Sequence, residues 1–169
     1  MTVVRQEPSL IADERTMLEG WLDYHRATLT MKCEGLSAEQ LRLRAVPPST
    51  LSLLGLVRHM AEVERSWFRR RLTGEDAPPI YCSESDPDGD FDGVDTADPA
   101  EAFATWHAEC DAARALTAAA SSLDARAARE VDGRPMSLRW ILAHMIEEYA
   151  RHNGHADLLR QCIDGAVGD

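Results

Sequence analysis

The 169-residue sequence contains no apolar run approaching the roughly twenty residues that cross a bilayer, and Met1 to Pro8 hold no stretch of signal-peptide length. A cytoplasmic address and no membrane partner are the expectation. Basic side chains are also scarce, 18 against 29 acidic ones, giving a formal net charge of -11 that repels phosphate backbones, so nucleic acid is not an expected partner. Gly-rich phosphate loops, a G-x-S-x-G elbow and an H-E-x-x-H pair are all missing, which removes support for nucleotide hydrolysis and for the common serine and metalloprotease chemistries.

The four cysteines, Cys33, Cys82, Cys110 and Cys162, form no C-x-x-C pair, so neither a zinc knuckle nor a dithiol redox motif is written here. They read as reduced thiols. Cys33, Cys110 and Cys162 fall in helical stretches as small packing residues, and Cys82 in a loop is the reachable one. Apolar residues at 44% and charged residues at 28% make a globular mixture, and the length suits one domain spanning residues 1–169.

What is present is helical periodicity. From Ile11 to about Cys33, Leu18, Trp21, Leu22, His25 and Leu29 recur at three- and four-residue steps on one face. Gly35 ends this helix, Ser37 and Gln40 form a capping box for a short turn, and Pro47-Pro48 stop it. Ser52 caps a second long helix through Leu53, Leu56, His59, Met60, Val63 and Trp67, ending before Gly74 with Arg69-Arg70-Arg71 as a solvated basic terminus. Residues 75–98, with Asp86, Asp88, Asp90, Asp92, Asp95 and Asp98 among prolines and glycines, read as a long solvated loop. Asp98-Pro99-Ala100-Glu101 starts a third long helix whose buried face is Phe103, Trp106, His107, Cys110, Ala113 and Leu116. Ser137 caps the last, from Leu138 to about Ile163, closed by Gly165. The expected fold is all-α, a four-helix bundle.

On the last helix His144, Glu148, His152 and His155 fall within an arc of roughly 80°. Burying three imidazoles and a carboxylate on one stripe costs free energy unless something compensates them, and a metal ion or catalytic site is the reading preferred over a hydrogen-bonded network. Glu148 and His152, at i and i+4, present two ligands from one turn. A third must come from another helix, and His59 is the single histidine of the second long helix. Two histidines and one carboxylate leave a coordination position open and suit zinc first, with nickel, manganese or iron as alternatives. His144 competes with Glu148 as a ligand, although an outer or pocket role is preferred; His155 is expected to orient a ligand or line the pocket, and His25 to sit in the core.

Asp88-Gly89-Asp90-Phe91-Asp92-Gly93 matches the opening of an EF-hand calcium loop, but its twelfth position is Pro99 instead of the bidentate glutamate. Calcium binding is therefore not expected.

The segments Ser52 to Glu62 and Glu148 to Arg160, with Trp21-Leu22-Asp23 and Gly35-Leu36-Ser37, resemble the DinB-like superfamily of helical metalloproteins, nearest its actinobacterial mycothiol-dependent branch. The resemblance covers nearly the whole chain. It implies a bundle with long crossover connections and a metal held by His59, Glu148 and His152. Many DinB-like proteins place histidine where Glu148 stands; the mycothiol-dependent maleylpyruvate isomerases share the His, Glu, His set but carry a further C-terminal domain that this sequence lacks. The resemblance therefore implies thiol S-transferase chemistry in detoxification more than isomerisation. Mycothiol is the implied co-substrate, an electrophile the second small-molecule partner, and a homodimer a further expectation. Arg58 and Arg151 are the candidate donors for thiol binding, with Glu62 and Arg151 as outer groups of the metal site. The alternative is a non-catalytic metal-binding helical protein, structural or stress-related, whose site a fourth ligand closes.

Overall fold

The computed structural model describes residues 4–168 and is all-helical, with no β-strand among them. Four long helices form the body: α1 (Glu14–Cys33), α3 (Leu53–Glu64), α5 (Pro99–Ala119) and α6 (Leu138–Asp164). Two short ones, α2 (Ala38–Arg42) and α4 (Gly89–Asp92), lie in the connections. α1 packs on α6 and α3 on α5, with α3 also meeting α6. Among the described residues no helix is long and apolar enough to cross a membrane.

The caps follow from the sequence. Asp13, Ser52, Asp98 and Ser137 each accept a hydrogen bond from a backbone N–H of the first turn, and Gly165 closes α6 in the left-handed conformation at φ 80°. Ser37 and Gln40 make the reciprocal capping box of α2. The first helix starts at Glu14, after its Asp13 cap, instead of at Ile11.

α3 is the central element. Leu53, Leu54, Leu56, Val57, Met60 and Ala61 are all fully buried, so nearly its whole circumference is covered. Beyond Glu64 the chain does not continue as an α-helix: Arg65–Leu72 form a π-helical stretch. Such wider turns are uncommon and gather at functional sites.

Beneath the apolar core runs a polar network that periodicity did not disclose. Arg26 on α1 donates from Nε and Nη2 to Glu64 on α3 at 2.8 and 2.7 Å. The Tyr149 hydroxyl of α6 donates to Glu64 Oε1 at 2.8 Å and accepts from Trp106 Nε1 of α5 at 2.8 Å. Glu64 and Tyr149 are wholly buried. One bidentate ion pair and its hydrogen bonds thus tie all four long helices and fix the rotation of α6 against α3.

Several apolar assignments change. Glu109 is buried on α5 and paired with Arg65 and Arg69, while His107, expected on the buried face, is exposed. Cys162 is exposed instead of packed. Burial pushes the Cys33 thiol up to about 12 and raises the Cys110 and Cys82 thiols as well, which removes thiolate from all three near neutral pH.

Residues 75–98 also depart from expectation. The segment folds into α4 and a 3₁₀ turn at Gly93–Asp95, with Gly89, Asp90 and Val94 buried. Gly55 of α3 makes room for it: a Cβ there would stand 3.2 Å from Phe91 and 3.5 Å from Val94. Gly89 is needed for a tighter reason, since its Cβ would lie 2.4 Å from the Tyr81 carbonyl oxygen. Among the aspartates of the segment Asp90 is buried, and the others face water.

Candidate metal centre

His59, Glu148 and His152 each offer a ligand atom, and these atoms lie within 4.8 Å of one another. The three side chains come from the facing stripes of α3 and α6. The His59 and His152 rings meet edge to face, 4.7 Å between centroids, and His152 Nε2 is 3.5 Å from Glu148 Oε2. The donor atoms need to move inward by little to reach the bonds of about 2.0 to 2.2 Å that zinc makes with nitrogen and oxygen.

The His59 ring is held from behind. Its Nδ1 is 2.8 Å from Oδ2 of the buried Asp90, and its face stacks on Phe91 with centroids 4.7 Å apart and planes at 26°. With Nδ1 donating to the carboxylate, Nε2 carries the lone pair and points at the site. Asp90 is in turn fixed by the N–H of Phe91, which donates to Oδ1 at 2.9 Å. This carboxylate was hidden in the acidic run; the signal that could have found it is Phe91, an aromatic residue out of place in a solvated loop.

His152 is almost completely buried, and burial, with the nearby His59, His155 and Arg151, pushes its pKa down to about 4. It is therefore neutral at pH 7 and ready to donate a lone pair. A carboxylate and two imidazoles brought together, with His152 buried and His59 and Glu148 partly buried, match the donor chemistry of a divalent ion.

The remaining candidates fall around this set. His144 lies between Trp140, stacked at 5.0 Å and 14°, and Trp67 at 4.5 Å; its Nε2 is 3.3 Å from Glu148 Oε1 and its Nδ1 3.4 Å from Glu147 Oε2. It thus also belongs to a second donor group, His144, Glu147 and Glu148, in which Glu147 is exposed. His155 lies 5.4 Å from the His152 ring and joins neither group among the described residues. His25, expected in the core, is only partly buried; it faces α6 through Asn153, whose Nδ2 donates to the His25 carbonyl at 3.0 Å, and it joins neither donor group.

The arginines expected to bind thiol are otherwise engaged. Arg58 donates to the carbonyls of Asp90 and Gly89 at 2.9 and 2.8 Å and lies over the Tyr81 ring at 3.9 Å. Arg151 is exposed and paired with Glu147. Glu62, expected near the metal, accepts the consecutive N–H groups of Ile80, Tyr81 and Cys82 at 2.6, 2.6 and 3.1 Å. Arg58, His59 and Glu62 therefore form one turn of α3 that grips the 80–90 segment and delivers Asp90 to His59.

An open cleft of about 310 Å³ begins at His59 and continues along Trp67 to Arg70 and Arg71, with Cys82, Pro87 and Phe91 on the opposite wall. A small molecule entering it would meet His59, the one residue of the donor set that lines it.

No curated protein gives a significant match to this sequence. The family model of the mycothiol-S-transferases matches residues 17–165, which takes in most of α1, the other three long helices and every residue of the donor set. With that match over most of its length, and an all-helical fold to accompany it, the chain belongs to the mycothiol-S-transferase family.

Proposed function

We propose that the protein is a divalent-metal-dependent thiol S-transferase, in which His59 Nε2, Glu148 and His152 Nε2 hold the ion and mycothiol is the thiol. The observation that carries this reading is the convergence of the three donors with Asp90 on the far side of His59. Zinc is the first choice of metal, with nickel, manganese and iron compatible with the same donors. When bound, the ion would supply a Lewis acid that lowers the pKa of a thiol and keeps it as thiolate near neutral pH.

The chain's own residues supply the rest. Asp90 and Phe91 hold His59 in one tautomer and one orientation, and burial keeps His152 unprotonated. Glu148 adds one negative charge beside two histidines, so a dication held there would stay partly unneutralised and would still attract an anionic sulfur. The cleft beside His59 places the electrophile next to the donor set, and the apolar wall of Phe91 and Trp67 limits water there. None of the four cysteines is needed as nucleophile.

A closed, purely structural site requires a fourth protein ligand. Of the two candidates, His155 belongs to neither donor group and His144 meets Glu148 without joining His59 and His152, which supports the open, catalytic version. The test is elemental analysis of the purified protein followed by a thiol-conjugation assay, with mycothiol and with glutathione, on metal-loaded and chelator-stripped samples. The expected outcome is about one ion per chain and metal-dependent conjugation with mycothiol ahead of glutathione. A metal-loaded protein inert with both thiols would defeat the reading.

A further inference from the structure

The stretch Arg65–Leu72 carries four arginines that divide into two pairs. Arg65 and Arg69 both hold the buried Glu109, at 2.6 and 3.0 Å, and Arg69 also holds Glu75 at 2.5 Å. Arg70 and Arg71 have no carboxylate partner among the described residues; both line the cleft that opens at His59. Arg70 Nε is buried and makes no hydrogen bond. Arg71 lies over the Trp67 ring at 4.5 Å and donates to the Ser66 hydroxyl. Burial first, then the charges of Arg70 and Arg129, pull the pKa of Arg71 down from its usual value.

The acidic residues of this cleft do not answer that charge. Glu62 spends Oε1 on three backbone N–H groups, Asp90 is bonded to His59, and Asp88 sits on the exposed rim. A helix dipole accounts for basic residues near a C-terminal end, but it does not account for a guanidinium nitrogen buried without an acceptor. In a chain of net charge -11, two neighbouring guanidiniums without a carboxylate partner among the described residues stand out from the rest of the surface.

We infer that Arg70 and Arg71 form a subsite for an anionic group, a carboxylate on the electrophile, so that the substrates of this site are elongated acids whose reactive carbon lies toward His59 and whose carboxylate lies toward Arg70. The chemistry of the inference rests on the thiol-transfer reading; the anion subsite itself does not. Arg70 follows His59 by eleven residues, a separation along the helix axis of roughly 16 Å, and an arginine side chain leaning back toward the N-terminus shortens the remaining gap to the length of a substituted ring. The thiol is not the source of the charge: mycothiol joins its cysteine carboxyl to a sugar and carries no carboxylate.

The test separates binding from turnover. In binding, unreactive 3-nitrobenzoate and its neutral partner 3-nitrobenzamide are titrated into metal-free protein and followed by calorimetry. The acid is expected to bind roughly tenfold more tightly than the amide, and Arg70→Gln to erase that preference while the exposed control Arg134→Gln retains it. In turnover, metal-loaded protein and mycothiol receive 4-chloro-3-nitrobenzoate or the matching benzamide. Sulfur forms a bond to the ring carbon, the carbon–chlorine bond breaks, chloride leaves with the electron pair and the thiol proton passes to solvent. Rates are divided by the uncatalysed rates, and the acid is expected to lead in kcat/KM by a similar factor through a lower KM. Equal binding of acid and amide to the wild-type protein overturns the subsite whether or not any thiol transfer is seen. Acid-selective binding without thiol transfer keeps the subsite and overturns the transferase reading alone.

Discussion

Asp90 Oδ2 lies 2.8 Å from His59 Nδ1, so the acidic segment after the second long helix is the outer support of the candidate metal centre. A carboxylate behind a ligating histidine fixes its tautomer and raises its basicity, and loss of such a partner costs roughly 10–100-fold in metal affinity. Asp90→Asn is expected to weaken zinc binding by that factor while leaving the helical circular-dichroism spectrum unchanged. Competition with a chromophoric chelator measures it, and wild-type affinity in the variant would show that Asp90 has no such role.

Glu148→Gln removes the one anionic donor of the set and keeps its shape. Metal affinity should drop by more than in Asp90→Asn, and thiol conjugation should fall with it. The thermal midpoint of the metal-free protein should stay within a few degrees of wild type, since Glu148 makes no bond to the four-helix polar network.

His152 gives the metal-free protein a definite pH dependence. Its folded pKa, about 4, lies below the ordinary histidine value of 6.5, so the unfolded chain binds more protons between those values. The stabilising contribution is complete above about pH 6.5 and is lost as pH falls toward 4, and His152→Asn should flatten urea midpoints measured across that window. The same burial shifts the proton competition for metal: spacing alone places it in the ordinary histidine range, whereas the His152 share should emerge mainly below pH 5. A chelator-competition series from pH 8 to pH 4 separates these cases.

The buried pair of Arg26 and Glu64 offers a stability test away from the site. Removing one partner leaves an uncompensated charge, so Glu64→Leu should cost about 3–5 kcal/mol. Adding Arg26→Met to Glu64→Leu should recover much of that loss, because the orphaned guanidinium is gone. Denaturation midpoints of the two variants measure this, and an additive loss would mean that the pair acts through separate partners.

The bundle was legible because each long helix announces itself twice, by a cap at its start and by apolar spacing within. Ser52, Asp98, Ser137 and Gly165 act as read. The histidines and Glu148 were legible because ionisable residues on an apolar stripe are conspicuous. Asp90 and the network of Arg26, Glu64 and Tyr149 were not, because each depends on contacts between residues 31 to 85 positions apart that no local period encodes. Arg58 and Glu62 were noticed for the right turn of helix but the wrong partner: their charges answer backbone groups of the 80–90 segment, and backbone acceptors and donors leave no trace in composition.

The three-residue clasp of Arg58, His59 and Glu62 makes the 80–90 segment and the donor set parts of one equilibrium. Linkage is reciprocal: any ligand that prefers His59 with Nδ1 bonded to Asp90 must, to the same extent, favour the closed arrangement of the segment. Occupancy of the site is thereby convertible into local order some twenty to thirty residues further along the chain. The backbone amides of Ile80, Tyr81 and Cys82, though they touch no donor atom, become reporters of what the two histidines are doing.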